Sequence, residues 1–234
     1  MFVPPESGDG SSAYSFRLAG EERFSSASIM EVLIHALWDL HAAVPKKVRD
    51  FLFLHAGAAV RNDQALLLPA MAESGKSTLV ASLGEAGFAY LSDEYAALDP
   101  VTARAYPFEK RMKLPRDALR FFSGLDERLA DREGLSQYLR DRYVRPEDVG
   151  TTVGGSAPVR WLVFPVPDWE GPPVLEPISK AESVEAMAAA CFNLYRYGER
   201  GVILLSRIAN ESRAFRLRGG SPRERADLLA DRLN

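Results

Sequence analysis

The sequence predicts a layered α/β domain with a mixed sheet flanked by helices, and three observations predict it. Apolar runs of strand length alternate with segments of helical period along the chain. Two such runs meet at Asn62-Asp63, a turn dipeptide that sets neighbouring strands antiparallel. The third observation is a strand–loop–helix passage. Ala65-Leu66-Leu67-Leu68 reads as a buried strand and Thr78-Leu79-Val80-Ala81-Ser82-Leu83 as the first turns of a helix. Between them Ala70-Met71-Ala72-Glu73-Ser74-Gly75-Lys76-Ser77-Thr78 has the spacing of a phosphate-binding P-loop.

Residues 1–13 read as a flexible leader, small and polar from Pro4 onward. Tyr14-Ser15-Phe16-Arg17-Leu18 alternates as a strand does, and Ser28 is placed to cap a helix reaching Val44. Ile29, Leu33, Leu37 and Leu40 share one face of that helix. Phe51-Leu52-Phe53-Leu54-His55-Ala56 opens the core, and Phe88-Ala89-Tyr90-Leu91-Ser92 is the strand after the loop helix. Asp99-Pro100-Val101-Thr102 is a hairpin turn between Ala96-Ala97-Leu98 and Ala103-Arg104-Ala105-Tyr106.

Residues 115–150 are densely charged and are expected to be helical. Their stretch Asp126–Asp148 reads as a solvated face, or alternatively as a lid or acceptor-docking surface. Pro158–Phe164 returns to strand, and Ser179–Tyr197 reads as one helix with Ser179 and Glu182 at capping-box distance. A strand over Ser212–Leu217 and a helix over Pro222–Leu233 close the chain. Residues 14–234 are thus expected to form a single domain. It comprises a strand-and-helix appendage (14–50), a nucleotide-binding core (51–113), and the remaining sheet, charged segment and C-terminal helices (114–234).

The chain's 234 residues suffice for one sizeable core. A net charge of −3, with basic and acidic residues interleaved, gives no electrostatic case for nucleic acid or an anionic membrane. No apolar run approaches a membrane span, and no basic-then-apolar leader marks secretion. The single cysteine, Cys191, excludes an intramolecular disulfide or thiolate zinc cluster and fits a cytoplasmic protein. Its apolar neighbours read it as a small buried residue.

Phosphate binding explains the residue types in the loop. Polyphosphate needs many donors at close range, and backbone N–H groups at a helix N-terminus supply them, aided by the helix dipole. Small residues permit that approach, and Gly75 can adopt positive φ at little cost. Lys76 offers an ammonium to the β- and γ-phosphates, Ser77 a hydroxyl to Mg²⁺, and Thr78 a further hydrogen bond to the α-phosphate. Ala70 stands where glycine is usual, and Glu73 brings a carboxylate close to phosphate. Glu73-Ser74-Gly75-Lys76-Ser77-Thr78 nevertheless resembles the loop of heterotrimeric G-protein α subunits, which implies that Glu73 points outward.

Phosphoryl transfer also needs a carboxylate that organises metal or accepts a proton. Asp93 and Glu94 follow the strand after the loop helix, at the sheet edge where ligands gather. A pair of acidic turn residues is the plainer alternative. His55 ends another apolar strand, where it reads either as a group that polarises phosphate or as a core histidine.

These residues together resemble the catalytic domain of HPr kinase/phosphorylase and its smaller bacterial relatives. His55-Ala56-Gly57, the 70–78 loop, Gly87 and Ser92-Asp93-Glu94 carry the likeness. His55 precedes Ala70 by 15 residues, and Lys76 precedes Gly87 by 11 and Asp93 by 17. Tyr106-Pro107-Phe108-Glu109-Lys110-Arg111 is similar to a segment of the smaller relatives, and Pro177–Glu182 to their late helix start. The likeness covers residues 51–113 and thins toward residue 234.

The resemblance implies an HPr-kinase-like core, akin to that of PEP carboxykinase, and an ATP- and Mg²⁺-dependent kinase acting on a hydroxyl, usually serine, of a peptide or protein. By carry-over, Lys76 and Ser77 hold nucleotide and metal, and Asp93 is the base or metal-organising carboxylate. Glu94 replaces a second aspartate, His55 supports the phosphate, and Glu109 stands for a further acidic metal contact. The chain lacks the family's Glu-Val-Arg-Gly-Leu-Gly and Pro-Gly-Arg-Asn segments, which argues against HPr as the acceptor and against the reverse phosphorolysis. The smaller relatives' occurrence in peptide-tailoring pathways implies a peptide hydroxyl. Full-length relatives are oligomers, so a homo-oligomer is a further expectation. Two alternatives stand beside this reading: a nucleotide-binding regulatory module without transfer, and a kinase of a small metabolite.

Overall fold

A computed structural model describes residues 2–3, 13–70, 74–130 and 141–233. The chain divides into two compact units, residues 1–49 and 50–234.

In the first unit, β1 (Phe2–Val3), β2 (Tyr14–Leu18) and β3 (Glu21–Ser26) form a three-stranded antiparallel sheet. Residues 2–3 of the expected leader are therefore strand, and residues 1 and 4–12 lie outside the described residues. Helix α1 (Ile29–Lys47) follows, with Ser28 Oγ accepting from the Glu31 N–H at 3.5 Å. Its packed face is not the one that the apolar spacing suggests. Val32 and Ala36 are buried with Phe16, whereas Ile29, Leu33, Leu37 and Leu40 are exposed. Small residues let the helix lie close against the short sheet, and the larger aliphatics face away from it.

The second unit is a mixed, mostly antiparallel sheet flanked by helices. Strand β4 (Leu52–Arg61) turns through Asn62 and Asp63, with φ of 50° and 56°, into β5 (Gln64–Pro69). That paired left-handed geometry is what a two-residue hairpin turn requires, and Asn and Asp tolerate it. Helix α2 (Lys76–Glu85), β6 (Ala89–Ser92), β7 (Tyr95–Leu98) and β8 (Arg104–Tyr106) follow. Asp99 Oδ1 accepts from the Val101 and Thr102 N–H groups in the β7–β8 turn, as its composition predicts.

Strands β9 (Met112–Pro115) and β10 (Asp141–Val144) pair antiparallel, and β11 (Ala157–Pro165), β12 (Val174–Pro177) and β13 (Arg213–Arg218) complete the set. Helices α3 (Leu125–Ala130), α4 (Lys180–Ala189), α5 (Leu194–Tyr197), α6 (Glu199–Glu211) and α7 (Pro222–Arg232) are interspersed. The main sheet runs β12-β13-β11-β5-β4-β7-β8, with β6 also on β4. β11 is parallel to β5 and to β13, and the other pairings in this sheet are antiparallel. Because β8 also pairs with the start of β11, strands β11, β5, β4, β7 and β8 form a closed circuit.

Period-two burial builds a core on each sheet face. Leu66 and Leu68 of β5 join α2 and α7 on one side. Ala65 and Leu67, with Leu52 and Leu54 of β4, join α4 and α6 on the other. α2 lies close because Gly57 of β4 has no Cβ; one would stand 2.6 Å from Val80 Cγ2.

Two helical expectations are corrected. Residues 115–150 hold one short helix, two 3₁₀ turns (116–121 and 146–149) and β10, and residues 131–140 lie outside the described residues. Alternating burial of Met112 and Leu114 against Arg142 and Val144 makes a strand pair that the charges conceal. The helix expected over 179–197 stops at Ala189, after a capping box of Ser179 and Glu182 as anticipated. Beyond it, Asn193 Oδ1 accepts from Phe53 N–H at 2.9 Å and its Nδ2 donates to Phe51 C=O at 3.0 Å, pulling the chain alongside β4. No helix among the described residues is long and apolar enough to cross a membrane.

Candidate functional site

The site is built from four segments that meet at one end of β4 and β5. β5 ends at Pro69, and the Ala70 N–H donates to His55 C=O at 3.3 Å, fixing the loop's entry against β4. Met71, Ala72 and Glu73 lie outside the described residues. Ser74 is buried, and Gly75 caps α2 with φ 80° and ψ 12°. That left-handed conformation is strained for any residue with a side chain.

α2 then begins at Lys76, so the N–H groups of its first turn point back toward the loop. Ser77 is half-buried there and Thr78 buried. The Lys76 side chain folds back over this turn. Its Nζ donates to Ala70 C=O at 2.9 Å and to Ser74 Oγ at 3.5 Å, and the residue is only 6 % exposed. Burial lowers its pKa to about 8, against the opposing pull of Asp93 and Glu94. Those two carboxylates are therefore within electrostatic reach of the ammonium.

Asp93 and Glu94 sit between β6 and β7, in a turn where Ser92 Oγ accepts from the Glu94 and Tyr95 N–H groups. Asp93 is buried and fully engaged. Its Oδ1 faces Lys110 Nζ at 2.8 Å and accepts from Tyr90 Oη at 3.1 Å, and Lys113 N–H approaches Oδ2 at 3.4 Å. Glu94 keeps 35 % of its side chain exposed and meets the same Lys110 at 3.3 Å. Burial pulls the Lys110 ammonium down, but Asp93 and Glu94 outweigh it and raise its pKa. The Tyr90 phenol is pushed well up by burial and by Asp93, so it stays a donor.

His55 stands opposite Tyr95 on the β4–β7 pair, 5.4 Å from the Phe192 ring. Burial and the Lys76 charge lower its pKa from the ordinary imidazole value, partly offset by Glu94, which favours the uncharged ring. Phe192 is brought there by the Asn193 clamp, and its N–H donates to Phe53 C=O at 2.9 Å. Burial and Glu94 push Tyr95 up to about 12.

Lys76 feels the charges of Asp93 and Glu94, and His55 those of Lys76 and Glu94. Glu109 is exposed on the β8–β9 connection, and its neighbour Lys110 meets Asp93 and Glu94 instead. Sequence reasoning missed Lys110, Tyr90 and Phe192, although Lys110 falls within the segment quoted for the family likeness. Among the described residues no three His, Cys, Asp or Glu side chains converge as a ready-made metal site. Magnesium is commonly held by one or two carboxylates with phosphate oxygens and water. Asp93 is buried against Lys110, whereas the Glu94 carboxylate and Ser77 keep partial exposure.

No protein-family model matches the chain, and comparison with curated proteins finds no match.

Proposed function

We propose that the chain is a P-loop phosphotransferase of the HPr-kinase type, moving the γ-phosphoryl group of ATP or another nucleoside triphosphate to a hydroxyl of a peptide or protein. One observation carries this reading. The loop that opens α2 on a left-handed glycine carries a buried Lys76 that lies within electrostatic range of Asp93, Glu94 and His55.

On nucleotide binding, first-turn N–H groups of α2 take the phosphates. Lys76 exchanges its bond to Ala70 C=O for a phosphate oxygen, and the incoming anion keeps it protonated. Ser77 would hold Mg²⁺, which when bound neutralises charge on the β- and γ-phosphates. Glu94, partly exposed, accepts the proton of the attacking hydroxyl. Asp93, out of water and triply engaged, orients Lys110 and Tyr90 rather than meeting the acceptor. His55 donates one N–H hydrogen bond to a phosphate oxygen. Positioning and charge neutralisation supply most of the rate enhancement in such a site.

A second reading, nucleotide binding without transfer, is favoured by one fact: Lys110 already bridges both carboxylates. Calorimetric titration with MgATP tests the shared premise. Binding by the native chain and its loss in Lys76→Ala is expected; equal affinity in the two rejects the loop assignment. γ-Labelled ATP offered with hydroxyl-bearing peptides separates the readings, since only the kinase forms a labelled peptide.

A further inference from the structure

We propose that the Trp169 indole is the platform on which the base of the bound nucleotide stacks, an inference that rests on the phosphate-loop reading above. Trp169 lies in the connection from β11 to β12, and its six-membered ring edge reaches the loop itself. A Cβ placed on Gly75 would be 2.7 Å from Trp169 Cη2 and 3.1 Å from Cζ2. The ring is therefore packed against the residue that caps α2, beside the N–H groups assigned to phosphate.

The indole is held from behind. Arg225 Cζ stands 4.0 Å from the ring centroid, and Arg225 is wholly buried. Its Nε donates to Gly219 C=O at 2.6 Å, and its Nη2 donates to Val166 C=O at 3.1 Å and to Asp168 C=O. Those bonds fix the guanidinium on the same connection that carries Trp169. Nη1 is also out of water and has no hydrogen-bond partner among the described residues. The indole π face compensates that cation.

A ring packed this way has one face on a guanidinium and one edge on the loop. Trp169 nonetheless remains 44 % exposed with the guanidinium over its ring. A held aromatic ring that keeps part of its surface in water is what base stacking uses, and every base has a matching π surface. Only a ribose separates a base from the α-phosphate, so a nucleotide gripped at the first turn of α2 brings its base to the rim of the loop. Trp169 occupies that rim. Stacking without edge-on hydrogen bonds favours large bases over small ones and discriminates weakly between adenine and guanine.

The test compares Mg²⁺ complexes of ATP and of inorganic tripolyphosphate, titrated into the full chain by calorimetry and followed by tryptophan fluorescence. The native chain is expected to bind ATP about tenfold tighter than tripolyphosphate, the size of one base–aromatic stack, with quenching on ATP alone. Trp169→Ala should lose that advantage and leave tripolyphosphate affinity unchanged. Trp169→Phe, which keeps a ring over Arg225, should retain most of it and abolish the quench; it also serves if the alanine variant fails to fold. ATP affinity unchanged in Trp169→Ala, or both ligands weakened equally, overturns the proposal while leaving the loop assignment standing. Failure of the native chain to bind either ligand sinks the loop assignment and the platform with it.

Discussion

Lys110 Nζ lies 2.8 Å from Asp93 Oδ1 with side-chain exposures of 11 % and 1 %, so the pair is an ion pair almost out of water. Its attraction is little screened, and either partner alone would be an uncompensated charge beside a buried tyrosine.

Removing the cation is therefore expected to be costly. Lys110→Met should destabilise the fold by about 3–5 kcal/mol, because Asp93 remains charged in the interior. Chemical denaturation measures it. Adding Asp93→Asn to the same chain should recover much of the loss, and strictly additive effects would show that the pair is not coupled.

The two carboxylates should separate by kinetics. Glu94→Gln is expected to lower transfer by about 10²–10⁴-fold with nucleotide affinity nearly unchanged, as for loss of a general base. Asp93→Asn should lower thermal stability as well as turnover, since it releases Lys110 and Tyr90. A fully active Glu94→Gln chain would transfer the base role elsewhere.

Nucleotide affinity should depend on pH through Lys76, whose pKa in the free protein is about 8. Affinity is expected to fall about tenfold between pH 7 and pH 9 as the ammonium loses its proton, with proton uptake on binding near pH 8. The same shift acts on stability with a definite sign. Below about pH 8 the folded chain carries a desolvated ammonium at a cost, and between there and the unfolded value of 10.5 only the unfolded chain is protonated. This group's contribution to stability thus rises with pH across that window. Calorimetry in buffers of different ionisation enthalpy reads the first effect, and Lys76→Arg should flatten both.

Asn193 is the hinge of the aromatic wall beside His55. Asn193→Ala leaves Phe53 N–H and Phe51 C=O without partners and should cost about 1–3 kcal/mol in urea melts. Hydrogen exchange at Phe53 should accelerate in parallel, and unchanged protection there would contradict the clamp.

Local chemistry was what the sequence displayed best. The Asn62-Asp63 turn, the Ser179–Glu182 capping box and the apolar strand run Ala65-Leu66-Leu67-Leu68 each depend on neighbours a few positions away. The strand–loop–helix passage around Gly75 and Lys76 was legible in the same way, since β5 ends at Pro69 and α2 begins at Lys76. What escaped was set by distant partners. β10 exists because Arg142 and Val144 meet Leu114 and Met112, and the break after Ala189 exists because Asn193 bonds residues about 140 positions earlier. Lys110, Tyr90 and Trp169 join the site through tertiary packing, and no spacing in the chain announces them.

The closed strand circuit has a consequence for synthesis on the ribosome. Residues 55, 76, 93 and 94 all emerge early, yet β5, which leads into the loop, gains its second neighbour only when Val159, Trp161 and Leu162 arrive, and the ring shuts only when Ala157 meets Ala105. A nascent chain ending before that point carries all four of these residues on an unfinished scaffold. Completion of the sheet that carries these residues is thus deferred until β11 has been made.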